Sequence, residues 1–579
     1  MYIDATRIRD EVWCWERDRN GELFTNVVPA PYYCYMKSAT PEAVSIFGDP
    51  VKRVDFESFK EFKDFKSHRN DLFESDIAPE YKHLSDTYHS TDTEVPVHIG
   101  FFDIEVDFNL KDGLGYPRPE NPFGEINAIS LFDTAKGEYH MLMFDTPELN
   151  KVTLKDPDGE YPVIIHRTRN ERDLLLCFAD VIKDIDILTA WNGDKFDIPY
   201  IMARATKHFG ASAPSLLCRD DFLAKSSEKV DAFGNDFTKW ELVGRLHLDM
   251  LDIYKKFTYE VKRSYALNAI AEEELGEKKT DYDDNLGELY RNDPQTFFEY
   301  SLQDARLLKK LNDKKRIIEL LIQLGRKATI RFPDVLGTVK MIESLVVNYC
   351  HTHDPNQLVV VPDKKDHDKE TLEGGYVYET MTGRHEWMAS YDLTSLYPSV
   401  MMMLGISPET YIFQAKNRFQ DYIKIVTESE DEVVLQAVGQ HVDYRHLKGE
   451  DFHFTGKEAM EFIREQGYCI SANGCIFTGK DGFVSRVIRN GFETRKHYKV
   501  MMKEAAKAGD KEKEALYDLY QMASKIVINS AYGAITNNHF RFFDIDLGKS
   551  ITLTGQIISK AQMKMVNDTI KEAGECLEQ

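Results

Sequence analysis

Cysteine is scarce in this sequence, eight residues in 579, at positions 14, 34, 177, 218, 350, 469, 475 and 576. No pair has zinc-ligand spacing with a matching second pair, which excludes a metal-stapled or disulfide-stapled fold; the thiols read as small buried hydrophobes in a reducing compartment. No apolar run approaches the length of a membrane span. The opening Met1-Tyr2-Ile3-Asp4-Ala5-Thr6-Arg7 lacks the basic start, apolar core and small-residue cleavage site of a secretory signal, so a cytoplasmic location without a membrane partner is expected. Positive charge is also in deficit, 73 Lys and Arg against 97 Asp and Glu, a net charge of -24. That removes any chain-wide attraction to phosphates. It leaves room for local basic grooves and for carboxylates that wait for cations.

The chain is 42% hydrophobic and 29% charged, with 34 Phe and 29 Tyr, which is the composition of a soluble globular enzyme. Its length predicts three to five compact units. Residues 1–98 mix short β-prone runs with a charged stretch, 56–65, whose Phe spacing suits an amphipathic helix. From Val97 the pattern alternates between strand and helix. Residues 97–105 predict a strand and 172–185 a helix, giving an α/β domain to about residue 317. Residues 230–238 predict a hairpin turning at Gly234-Asn235. In the helix closing the domain, Arg306, Lys309, Lys310, Lys314, Lys315 and Arg316 flank an apolar stripe and read as a solvated face. Past residue 366 a Gly-Gly pair precedes a strand at 386–393 and a helix after Pro398. Residues 486–538 predict two helices folded back at Ala508-Gly509-Asp510, and 551–574 another helix.

Three acidic places stand out. Asp103 and Glu105, at i and i+2 in the first strand, project from one face and can share divalent cations. Asp197 lies in Trp191-Asn192-Gly193-Asp194-Lys195-Phe196-Asp197-Ile198-Pro199-Tyr200, and Tyr300 and Asp304 share a helix face at i and i+4. Each alone reads as a surface acid or a strand end. Together they suit a two-cation phosphodiester centre, with Asp103, Glu105, Asp197 and Asp304 as ligands and Tyr300 orienting the attacking water.

This ordered trio resembles the exonuclease motifs of the DEDDy proofreading domains of family B DNA polymerases. The resemblance implies a ribonuclease H-like fold, 3′→5′ excision with Mg²⁺ or Mn²⁺, two per centre, and a hairpin near Phe233 that helps part primer from template. A second resemblance follows downstream. Ser390-Tyr391-Asp392-Leu393-Thr394-Ser395-Leu396-Tyr397-Pro398-Ser399 puts an acid at a strand end before a turn whose amides can meet a triphosphate. It resembles motif A. By that likeness Asp392 holds both metals, Leu393 lends a carbonyl ligand, Ser395 and Leu396 lend amides, and Tyr397 lies under the sugar and disfavours a 2′-hydroxyl. Lys525, Asn529 and Tyr532 share a helix face; the string resembles motif B, which implies that Lys525 meets the phosphates and Tyr532 the nascent pair. Arg495 and Lys499, at i and i+4, suit triphosphate charge. The strings DLTSLYPS, ISPET and INSAYGA resemble the T-even-type bacteriophage branch.

The sequence departs from that family in two places. Leu372-Glu373-Gly374-Gly375 lacks the tyrosine that often comes first, and no Asp-Thr-Asp of motif C or thumb follows motif B. Asp544-Ile545-Asp546 has the acid spacing but follows motif B too closely and lacks the central threonine. Three other look-alikes are incidental: Gly548-Lys549-Ser550 without the leading P-loop glycine, a calcium-loop mimic at Asp281 to Gly287, and Cys350-His351-Thr352-His353.

The expected architecture is α/β multidomain. An amino-terminal domain occupies 1–98, a ribonuclease H-like exonuclease 99–317, a returning segment 318–365, the first part of a palm 366–481, helical-hairpin fingers 482–538, and the start of a second palm part 539–579. The expected function is the amino-terminal part, split or truncated, of a DNA-directed DNA polymerase with proofreading. Its partners are primer-template DNA, deoxynucleoside triphosphates, a second polymerase chain carrying motif C and thumb, and a sliding clamp, in the cytoplasm of an infected bacterium if the chain is phage-encoded. The rival readings are a stand-alone 3′→5′ exonuclease with a DNA-gripping polymerase remnant and a non-catalytic replisome scaffold.

Overall fold

The computed structural model describes residues 1–89, 95–108, 115–231, 234–258, 260–277, 286–367, 374–377, 382–384, 392–416 and 430–578. Phe233, Leu372-Glu373, Asp281 and nearly all of the strand expected at 386–393 lie outside them. The chain forms two compact units, one of residues 1–30, 86–322 and 331–336, the other of residues 31–85, 323–330 and 337–579.

The first unit carries an antiparallel meander, Tyr2–Ile8, Glu11–Arg17 and Leu23–Pro29, and a six-stranded mixed sheet. The order in that sheet is Val163–Thr168, Glu138–Phe144, Ile126–Asp133, Ile99–Val106, Ile187–Thr189, Leu246–His247. Ile99–Val106 is the inner strand that matters for function. It pairs antiparallel with Ile126–Asp133 along its length, and parallel with Ile187–Thr189 only at Ile99, Gly100 and Phe101. Flanked on both sides at its start, it must be apolar there, which is why Ile99-Gly100-Phe101-Phe102 reads as a hydrophobic run. Alternation then separates its faces. Phe102 and Ile104 enter a core with Leu174, Phe178, Ile198 and Ile201, with the rings of Phe102 and Phe178 5.7 Å apart. Asp103 and Glu105 face the other way.

The helices of this unit have recognisable ends. Glu171–Val181 starts at Asn170, whose side chain accepts the Asp173 N–H, and Pro294–Lys315 starts at Asp293 with Pro294 in its first turn. The long helix Pro294–Lys315 lies on the sheet, and the Ser130 hydroxyl donates to the Ser301 carbonyl at 2.7 Å. Three of its cations do not form the solvated face expected from the sequence, while Lys314 is exposed as expected. Arg306 is buried and bonds Asp158 and Glu277 at 2.6 Å each, Lys310 pairs with the same two acids, and Lys309 lies 4.7 Å from the Tyr161 ring centroid. The partners come from segments far away in sequence, so the pattern of one helix could not announce them.

The expected hairpin is formed by Lys225–Val230 and Asp236–Glu241, antiparallel, with Gly234 at φ 85° in its turn. In the second unit a four-stranded sheet runs in the order Val359–Val360, Ala43–Ser45, Pro50–Phe56, Tyr32–Lys37. A five-stranded antiparallel sheet runs Asp451–Thr455, Glu432–Ala437, Tyr411–Ala415, Cys475–Phe477, Cys469–Ile470. Two long helices, Phe483–Ala508 and Lys511–Ile535, fold back at Gly509, whose φ of 74° ends the first. The helix expected at 56–65 is present as Phe59–Ser67 with Phe62 buried, Phe56 ending the strand Pro50–Phe56 instead, and the last helix runs Ile545–Glu578. The seven cysteines whose side chains are described are free, four of them buried. Among the described residues no helix is long and apolar enough to cross a membrane.

Candidate functional site

In the first unit, Asp103, Glu105 and Asp304 each offer a carboxylate oxygen, and these atoms lie within 4.8 Å of one another. Two of the three acids are buried and Asp103 is half-buried. Three carboxylates so close repel one another strongly unless a cation or protons intervene, and hard oxygen donors at this spacing fit Mg²⁺ or Mn²⁺. Tyr300 is buried one helical turn before Asp304, on the same face.

Asp197 does not belong to this close trio, but it reaches the same strand. Beyond Phe101 the pairing with Ile187–Thr189 has ended, so an edge of Ile99–Val106 is open, and the Asp197 carboxyl accepts the Ile104 N–H there. Ile104 stands between Asp103 and Glu105. Asp197 is fully buried, and desolvation pushes its carboxyl up to about 7 against the nearby charge of His247. A divalent cation in the centre would restore the carboxylate form.

The loop that delivers Asp197 is held by groups the sequence pattern did not single out. Asn192 has φ 64°, and Asp249 accepts the N–H groups of Asn192 and Asp194 at 3.1 Å each. A Cβ on Gly193 would fall 2.6 Å from His247 Nε2, so only glycine fits. Burial alone would raise the Asp194 carboxyl, but His247 Nδ1 at 2.9 Å and the Lys239 ammonium outweigh it and hold it at about 2. Asp194, Asp249 and Asp252 also converge within 4.8 Å. This trio already has a cation, Lys239, whose ammonium bonds Asp194. Asp194 stood in the quoted motif; Asp249, His247 and Lys239 carried no signal, because their partners are many residues away.

In the second unit, Asp392 and Leu393 border a cavity of about 400 Å³ with Leu396, Ser559, Gln562 and Val566. Ser395 has φ 50°, a left-handed conformation costing a non-glycine residue about 1 kcal/mol. It turns the chain into the helix Leu396–Leu404 so that the first amides of that helix are left without intrahelical partners. Tyr397 packs against Tyr532 with ring centroids 4.4 Å apart and planes tilted by 38°, and a Cβ on Gly555 would lie 2.9 Å from Tyr397 Cε1. Motif A and motif B are thus brought together through these two rings. On the helical hairpin, Arg495, burial and the charges of Lys503 and Lys525 push the Lys499 ammonium down, which marks a cluster of like charge suited to an anion. Arg495 Nε donates to Gln521 Oε1 at 3.4 Å, Lys525 is half-buried, and Asn529 is exposed.

Asp544 and Asp546 lie elsewhere. Asp544 Oδ1 accepts the Asp546 N–H at 2.9 Å and caps the last helix, while Gln440 holds its other oxygen. Ser559, beside Asp392, is more than three turns further along that helix, about 20 Å away. Gly548-Lys549-Ser550 is part of the same helix, and His351 bonds Glu74 at 2.9 Å.

The family model described as DNA polymerase family B, exonuclease domain, matches residues 63–270, and that described as DNA polymerase family B matches residues 336–578. The DNA-directed DNA polymerase of Escherichia phage RB69 is 25% identical, over 99% of this chain and 67% of its own length. That of Enterobacteria phage T4 is 25% identical, over 85% of this chain and 57% of its own. DNA polymerase 1 of Pyrococcus abyssi is 27% identical, over 73% and 48%. The chain therefore spans from about half to about two thirds of the length of these relatives.

Proposed function

Since this chain belongs to DNA polymerase family B, we propose that its first unit is a 3′→5′ proofreading exonuclease and its second unit the nucleotide-receiving part of a DNA-directed DNA polymerase. The observation that carries the reading is the convergence of Asp103, Glu105 and Asp304 within 4.8 Å, with Asp197 anchored to the strand between the first two. Mg²⁺ or Mn²⁺, two per centre, would be held by these four acids and, in the second unit, by Asp392 and the Leu393 carbonyl, supplying positive charge where phosphoryl oxygens gain negative charge. Tyr300 orients the water that attacks the terminal phosphodiester. Ser395 and Leu396 offer amides, and Arg495, Lys499, Lys525 and Asn529 offer side chains, to the triphosphate of an incoming nucleotide. Tyr397, braced by Tyr532 and Gly555, lies beneath its sugar.

Among the described residues no second carboxylate lines the cavity beside Asp392. One acid is a poor cage for two cations, so a second acidic ligand and a thumb, both supplied by a partner chain, form part of this proposal. The six-part division at residues 98, 317, 365, 481 and 538, the binding of primer-template DNA, the sliding-clamp partner and the bacterial cytoplasm belong to the same proposal. The buried acids argue against a scaffold without activity, since such a cluster is costly unless it binds cations.

Digestion of a 5′-labelled single strand by the purified chain tests the first unit. One-nucleotide steps from the 3′ end with Mg²⁺ or Mn²⁺, and none with chelator, are expected. Cation-independent cleavage, or cleavage from the 5′ end, would overturn the assignment.

A further inference from the structure

The trio Asp194, Asp249 and Asp252 is shaped like a second cation site, yet two of its acids are already engaged. The Lys239 ammonium and His247 Nδ1 bond Asp194, and three backbone N–H groups, of Asn192, Asp194 and Leu251, bond Asp249. Lys239 belongs to the hairpin strand Asp236–Glu241, which also touches the helix that begins at Asp197. A second tie runs the other way. Lys195, two residues before Asp197, bonds Asp231 at 3.0 Å at the end of the opposite hairpin strand and lies 5.3 Å from the Phe237 ring centroid. The hairpin itself is mostly solvent-exposed, with Trp240 packed at the edge of the core near its base. Two lysines therefore clasp an exposed hairpin to the short loop that presents Asp197.

We propose that Lys239, assisted by Lys195, is a positioning residue for the exonuclease reaction: it serves as a built-in cation that ties the hairpin to Asp194 and so fixes Asp197 against the strand carrying Asp103 and Glu105. This rests on the exonuclease reading above. The hairpin then does more than stand beside the DNA. A force on it, as from a duplex pressed against the domain, is transmitted through the Lys239–Asp194 ion pair, whose acid is buried and whose lysine is partly exposed, to a carboxylate of the cation centre. Breaking the clasp leaves Asp194 with His247 alone against Asp249 and Asp252, and the loop relaxes away from the geometry the cations need.

The test uses single-stranded DNA, for which no strand separation is needed, and reads the cation as well as the activity. For the wild-type chain and Lys239→Met, Lys239→Arg and Lys195→Met, Mn²⁺ binding is measured by titration calorimetry and the Mn²⁺ dependence of 3′→5′ digestion is recorded. Lys239→Met is expected to weaken Mn²⁺ binding and raise the half-saturating Mn²⁺ concentration about 10-fold, with the rate at saturating Mn²⁺ within about 3-fold of wild type. Lys239→Arg should restore most of the loss, and Lys195→Met should move the same quantities in the same direction by less, because its partner Asp231 lies on the hairpin and not in the acid trio. A Lys239→Met chain with unaltered Mn²⁺ binding and half-saturation, or one altered only on duplex ends, overturns the inference while leaving the exonuclease reading standing. Absence of Mn²⁺ binding and digestion in the wild-type chain overturns the exonuclease reading itself.

Discussion

Asp197 concentrates the chemistry of the first unit in one residue. Its carboxyl is raised from 3.8 to about 7 by burial. Without a divalent cation the folded chain therefore binds more protons than the unfolded chain between these values, and stability falls as pH rises through that window. Asp197→Asn removes the effect. With chelator present, it should stabilise the exonuclease unit at pH 8, by up to about 4 kcal/mol, and change little at pH 4, as read from the first thermal transition. Cations compete with that proton, so Mg²⁺ should raise the wild-type transition more at pH 8 than at pH 5.5. An equal rise at both values would mean that Asp197 is not in the cation centre. The trio is tested separately. Asp103→Ala with Glu105→Ala should lower single-strand digestion by more than about 100-fold, since loss of ligands exceeds loss of the groups that merely orient them. Retained digestion with an intact circular dichroism spectrum would remove both residues from the site.

At the scale of elements, the last helix shows how one glycine can be structural and another replaceable. In Ile545–Glu578, Gly555 lies against the Tyr397 ring, and an added methyl would overlap it at 2.9 Å. In Lys511–Ile535, a Cβ on Gly533 meets nothing within 4 Å. Helix propensity favours alanine at both by up to about 1 kcal/mol, but overpacking at Gly555 costs about 1 to 3 kcal/mol. Gly533→Ala should therefore raise the urea midpoint of the second unit, and Gly555→Ala should lower it or leave it unmoved. Equal stabilisation by both would show that Tyr397 has room to retreat. The same contact bears on the sugar beneath which Tyr397 is proposed to lie. Wherever nucleotide addition is measured, Tyr397→Ala should relax discrimination against ribonucleotides, and unaltered discrimination would return the ring to a packing role.

For the molecule as a whole, two compact units hold two separate sets of acids, Asp103, Glu105, Asp197 and Asp304 in one and Asp392 in the other. Activities that depend on different cations in different units should be separable. Asp392→Ala is expected to leave single-strand digestion within about 2-fold of wild type and to abolish any primer extension, because the two sets of acids belong to different units and effects of independent sites add. Loss of both activities in a folded protein would show that the acids are divided wrongly. Extension itself should appear only when a chain supplying a second acidic ligand accompanies Asp392, and steady extension by these 579 residues alone would sink that expectation.

The sequence alone determined those parts of the protein that depend on local pattern. The alternation at 99–106 put Asp103 and Glu105 on one face, the Tyr300 and Asp304 spacing put both on one helical face, and Gly509 between two amphipathic stretches ended one long helix and began the next. Those are properties of strands and helices with fixed periods, readable without knowing what lies opposite. What only the tertiary structure decided is how such pieces meet. That Asp304 reaches Asp103 and Glu105, that Asp197 finds an N–H on the open edge of their strand, and that Arg306 is buried against Asp158 and Glu277 follow from packing between segments far apart in sequence. Lys239 illustrates the limit most clearly. In its strand it is one exposed-looking lysine among polar neighbours, and only the fold, by bringing three carboxylates to its ammonium, gives the charge a place and a reason to be there.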